Sequence, residues 1–92
     1  MTERLHFRVT GRVQGVFFRV FTRGTAEGLG LTGWVLNASD GSVEGEAFGE
    51  SEMLDRFVQR LREGTQHSRV DEVQQVERTP SKAAPHTFDI LY

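Results

Sequence analysis

A chain of 92 residues has room for one hydrophobic core, and a domain this small buries only about 60–65% of the surface its unfolded chain exposes. With 37% hydrophobic and 10% aromatic residues it is neither disordered nor collagen-like, and the absence of cysteine excludes a disulfide, a thiolate nucleophile and thiolate metal ligands. A net charge of −2 argues against a surface devoted to nucleic acid, whose phosphates reward basic proteins, but leaves room for one local anion site.

The opening MTERLHFRVT lacks the apolar segment of a signal peptide, and no apolar run approaches the roughly 18 residues of a membrane span. The expectation is a soluble, cytoplasmic protein with no membrane partner. Residues 5–10 alternate, Leu5, Phe7 and Val9 against His6, Arg8 and Thr10, and predict a half-buried strand. The loop GRVQGVFFR follows. From about Arg19 the period changes, with Phe18, Thr22, Ala26 and Leu29 along one side of a helix that Gly24 and Gly28 weaken and Gly30 can end.

The stretch GWVLNASDGSVEGEAFG predicts a hairpin turning at Asp40-Gly41, with Val43, Gly45 and Ala47 on one face of the return strand. Ser51 can cap the next helix, whose stripe is Leu54, Phe57, Val58 and Leu61. Acidic Glu52 and Asp55 sit early in it, Arg60 and Arg62 late, and Gly64 can close it. The remainder supplies two strands joined by SKAAP. Val70, Val73 and Val76 keep a period of three, which a regular strand cannot place on one face; a bulge reconciles it, and the β-branched residues favour that over a third helix. The order β-α-β-β-α-β with a short extra strand is met by two helices on one face of a mainly antiparallel sheet, an α+β fold over residues 1–92 as a single domain.

A strand entering a glycine-bracketed loop and then a helix suits an anion, because loop amides and the free N–H groups of the helix start can converge on it. Gly11 and Gly15 would let the backbone turn and approach a ligand. The loop is neither a nucleotide P-loop nor a dinucleotide fingerprint. Arg19 stands in the first helical turn, where a cation opposes the macrodipole by about 0.3–1 kcal/mol; an anion would remove the conflict, and the guanidinium fork could hold two phosphoryl oxygens. Taken singly Arg19 reads as a surface arginine, and with the two glycines beside it the two readings balance. Asn37 ends an apolar run before the Asp40-Gly41 turn. Spacing alone favours a turn-starting role, the other reading being a neutral amide that holds a water.

His6, His67 and His86 have no ligand spacing, Glu44 and Glu46 read as a solvated face, and the serines lack a nucleophile elbow. Neither a metal nor a cofactor is expected, and no general base stands out.

These residues resemble the acylphosphatase family. The likeness runs through G-x-V-Q-G-V-x-F-R (Gly11 to Arg19), L-G-L-x-G-W-V-x-N (Leu29 to Asn37) and D-G-x-V-E (Asp40 to Glu44). The helix at 51–63, Arg69–Val73 and Phe88–Ile90 also fit. The resemblance implies a ferredoxin-like α/β sandwich that hydrolyses the carboxyl–phosphate bond of small acyl phosphates to a carboxylate and inorganic phosphate. It implies that the amides of Arg12, Val13, Gln14, Gly15, Val16, Phe17 and Phe18 cradle the phosphoryl group together with Arg19. Asn37 would hold the attacking water, and the substrate's own phosphate would take its proton, so no metal is needed. Many members carry a polar residue where this chain has Leu36; alternation puts Leu36 on the face opposite Asn37, so packing or substrate range would change and the chemistry would not. The competing readings are a non-catalytic ferredoxin-like module that binds an anion or small ligand, and a carbamoyl-phosphate-handling part of a larger enzyme. The expected partners are a small acyl phosphate and inorganic phosphate, with no nucleic acid, and the expected state is a monomer.

Overall fold

The computed structural model describes residues 2–92. Strand β1 (Thr2–Arg12) leads through a loop to helix α1 (Phe18–Gly28), then to β2 (Thr32–Asn37) and β3 (Val43–Glu50). Helix α2 (Ser51–Glu63), β4 (Arg69–Pro80) and β5 (Phe88–Ile90) complete the order. The sheet runs β4-β1-β3-β2-β5, antiparallel except for the β2–β5 pair, which is parallel.

Alternation decides which face is covered. Leu5, Phe7 and Val9 of β1, Val35 of β2, and Val43 and Ala47 of β3 are buried against both helices. From above come Phe18 and Ala26 of α1 and Leu54, Phe57, Val58 and Leu61 of α2. Phe57 meets Phe7 edge-on at 5.1 Å, and Phe88 closes on it at 6.4 Å, the offset geometry that aromatic rings prefer. The opposite face carries paired charges. Arg4 bonds both Glu46 and Glu77, Arg8 pairs with Asp40, and His6 Nε2 lies 2.6 Å from Glu44 Oε2. Glu46 also accepts from Trp34 Nε1 at 3.0 Å. Both glutamates thus belong to a partnered, half-exposed surface.

Three details differ from the sequence reading. Gly11 lies inside β1, against β4; at φ 124° an added Cβ would fall 2.1 Å from the Arg69 carbonyl oxygen, so glycine is needed for β4 to pair there. Ser51 is the first residue of α2 and not its cap: Glu50 holds the N-cap position, and Ser51 Oγ accepts from Arg78 Nη2 at 2.8 Å. The expected bulge exists, but twice. The β1–β4 register slips between His6 and Phe7 and between Thr10 and Gly11, leaving Val76 and Asp71 as the extra residues. Val70 and Val73 turn inward, whereas Val76 is 55% exposed.

Candidate active site

Residues 13–17 link the C-terminal end of β1 to the N-terminal end of α1, and the start of α1 breaks several local rules together. Its N-cap residue is Phe17, at φ 59° and ψ 27°, left-handed backbone that a bulky side chain rarely adopts. No side chain caps the helix, and no acidic residue stands in its first turn. The leading amides of any helix lack intrahelical acceptors; among the described residues, the N–H groups of residues 14–17 also donate to no protein acceptor. Gly15, at φ 75° with no atom within 4 Å of where a Cβ would stand, gives the loop its turn and leaves its approach open.

Beside this loop is a cleft of about 430 Å³ that brings Gly15, Arg19 and Asn37 together, with Phe17, Ile90 and Tyr92 at its sides. Arg19 is held from the far end of the chain. Its Nη1 donates to the Leu91 carbonyl oxygen at 3.0 Å, and its guanidinium lies 4.7 Å from the centre of the Tyr92 ring. Asn37 is the exposed last residue of β2. The turn that follows is fastened by Asp40, whose Oδ1 accepts from the Ser42 N–H at 2.9 Å and from Ser42 Oγ at 2.6 Å. Among the described residues no hydrogen bond engages the Asn37 side chain, so the turn-starting role favoured by spacing falls to Asp40, and the Asn37 amide faces the cleft uncommitted.

The other loop residues divide by what they touch. Val13 and Phe18 are buried and anchor the two ends in the core, while Val16 packs partly against it. Arg12 is exposed at the end of β1, where its backbone pairs with Arg69, and so belongs to the sheet rather than to the loop. Gln14 has a part that sequence reasoning missed. Its Nε2 donates to the Ala38 carbonyl oxygen at 2.8 Å and to the Ser42 carbonyl oxygen at 2.9 Å, fastening the loop to the hairpin just beyond Asn37. Its two acceptors lie 24 and 28 residues away. Equally unforeseen is the contribution of residues 90–92, which reach the cleft because β5 pairs parallel to β2. The only available signal was the largely apolar ending FDILY, which pointed to a strand and not to a site.

A second hollow, of about 360 Å³, lies against Phe21, Gly24, Gly28 and Arg60, away from the loop. Among the described residues no group of three or more His, Cys, Asp or Glu side chains could hold a metal ion, and no helix is long and apolar enough to cross a membrane.

The model of the Acylphosphatase family matches residues 5–90. The chain belongs to the acylphosphatase family. It is similar to the acylphosphatase of Rubrobacter xylanophilus, 45% identical over 89 residues that span 97% of this chain and 80% of that one. The acylphosphatase of Bacillus subtilis has the same fold, with a TM-score of 0.91 and 38% identity over 100% of both chains. A full-length HypF, in its phosphate- and nucleotide-bound form, matches 100% of this chain but only 12% of its own, with a TM-score of 0.88 and 30% identity. The ferredoxin-like sandwich and the acylphosphatase enzyme class expected from the sequence both agree with these relatives.

Proposed function

We propose that the chain acts, as one monomeric domain in the cytoplasm, on small acyl phosphates without a metal, and that the cleft at the start of α1 is where it does so. The observation that carries this reading is an uncapped helix N-terminus with a cation in its first turn, facing an uncommitted amide across one cleft. An anion satisfies all three features at once.

With a phosphoryl group seated over the open N–H groups of residues 14–17, Arg19 binds two of its non-bridging oxygens through the guanidinium fork. The Asn37 side chain holds a water on the side away from the acyl oxygen. The water oxygen forms a bond to phosphorus as the bond from phosphorus to the acyl oxygen breaks, and that electron pair leaves on the carboxylate. The water's proton passes to a phosphoryl oxygen of the substrate, so no side chain need serve as base. Loop amides, helix dipole and Arg19 are in place before the charge shifts, and such preorganised donors typically contribute about 10²–10³-fold each.

The test is hydrolysis of benzoyl phosphate by the purified protein in EDTA, beside Arg19→Ala and Asn37→Ala. The expected result is metal-free turnover, abolished in the first variant. In the second, kcat should fall about 10²-fold while inhibition by inorganic phosphate stays within about three-fold. A folded wild-type protein that binds phosphate but turns nothing over would be an anion-binding module. Loss of phosphate binding in Asn37→Ala would remove the water-holding role.

A further inference from the structure

An acyl phosphate has two ends, and the groups described so far account for only one. The fold leaves five large apolar side chains exposed, and three of them, Phe17 (84%), Val20 (50%) and Tyr92 (101%), line the same cleft as Arg19 and Asn37. Of the other two, Val76 sits in the bulge of β4, and Leu91 lends its carbonyl to Arg19. Water-facing apolar groups scattered singly need no explanation, but a cluster beside a polar centre does. Phe17 stands out for a second reason, because the backbone that presents its ring is left-handed. Tyr92 is tied to the phosphate arm by the stacking of Arg19 on its ring.

We propose that Phe17, Val20 and Tyr92 form the subsite for the acyl group and set the preference of the enzyme for acyl phosphates whose acyl part is apolar, aromatic above all. The proposal rests on the acyl phosphate reading of the cleft and adds the substrate class. A phosphoryl group at Gly15 and Arg19 occupies a minor part of the roughly 430 Å³ available, and the carbon side of the substrate then projects toward these three side chains. A ring placed there loses apolar surface to water, and a methyl group much less. Arg19 is the only cationic side chain among the described residues lining the cleft, and it is committed to the phosphoryl end. An acyl group bearing a second carboxylate therefore finds no partner.

The test compares kcat/KM for benzoyl and acetyl phosphate, each divided by its spontaneous hydrolysis rate. The wild-type ratio should exceed about ten. Val20→Ser and Tyr92→Ser should each lower it about three-fold, and the pair about ten-fold, mainly through KM for benzoyl phosphate. Tyr92→Phe should restore the ratio. Inhibition by inorganic phosphate in Val20→Ser should stay within about two-fold, as it would not if that variant merely deformed the loop. Turnover of both compounds with a ratio near one, or a ratio unmoved by both serines, overturns the subsite and leaves the hydrolase standing. Hydrolysis of neither compound by the wild type overturns the hydrolase and the subsite together.

Discussion

The two helices pack on the same face of one sheet, yet their ends are built on opposite terms. Helix α2 follows the local rules: Glu52 in its first turn, Arg60 and Arg62 in its last, and a glycine at its C-cap. Neither helix has a capping side chain, but α1 also has no acidic residue at its start, no basic residue at its end, and an arginine where the dipole disfavours one. Both have an apolar face that reaches the core, so the difference does not come from packing. It lies in the charge set beside the leading donors, an acidic Glu52 in the first turn of α2 and the cation Arg19 in the first turn of α1. Departures of this kind are tolerated where function requires them. Each helix start also has its own arginine: Arg19 faces a cleft, and Arg78 of β4 is bound to Ser51 at the start of α2.

The largest effect should come from changing the shape of the α1 cation while keeping its charge. Arg19→Lys retains the electrostatic attraction but loses the planar fork and the reach to Leu91. We expect kcat for benzoyl phosphate to fall about 10²–10³-fold, with the melting temperature almost unchanged. A loss of less than about ten-fold would mean that charge alone suffices and that the fork geometry at this helix start is incidental.

A smaller loss should follow Gln14→Ala, which leaves the loop, the helix start and Arg19 in the chain but unfastens them from the hairpin. Two part-buried hydrogen bonds of about 1 kcal/mol each disappear, so melting should drop by several degrees. If the clamp sets the distance between the loop and Asn37, kcat/KM should also fall about ten-fold, because catalysis by positioning is sensitive to displacements of an ångström. Lower stability with intact turnover would assign Gln14 to the fold alone.

What the sequence made legible follows from range. The stripe Leu54–Phe57–Val58–Leu61 and the alternation Leu5–Phe7–Val9 are local periods imposed by burial, and both helices, the hairpin and the bulged strand could be read from such patterns. Arg19 was visible as a broken local rule, though only the three family motifs tipped it and Asn37 toward a site. Gln14 was hidden because an amide side chain carries no sign of which distant carbonyl it will bond, here Ala38 and Ser42. Tyr92 was hidden because its place beside Arg19 depends on strand order, which sets β5 next to β2. Gly11 misled for the opposite reason: a glycine required by a neighbouring strand looks the same in sequence as one required by a ligand.

The smallest effect on activity should come from the second arginine, and this sharpens the contrast most. Arg78 Nε donates to Glu3 Oε1 at 2.8 Å, Nη1 to Asp55 Oδ1 at 2.7 Å, and Nη2 to both the carbonyl oxygen and Oγ of Ser51 at 2.8 Å. Hydrogen bonding to Glu3, more than the charge of Asp55, holds its guanidinium above the ordinary value. The group is only partly shielded, so the bonds to charged partners must be discounted for screening, and Arg78→Ala should cost about 1–2 kcal/mol. For a domain of this size that lowers melting by roughly 4–8 °C per kcal/mol, and the gap should narrow in salt near 1 M, where the screening length falls to about 3 Å. Turnover of benzoyl phosphate should stay within about two-fold, since α2 and its arginine lie outside the cleft. A variant that melts normally but turns over slowly would break the division, because a network spent on the start of α2 would then be acting on the start of α1.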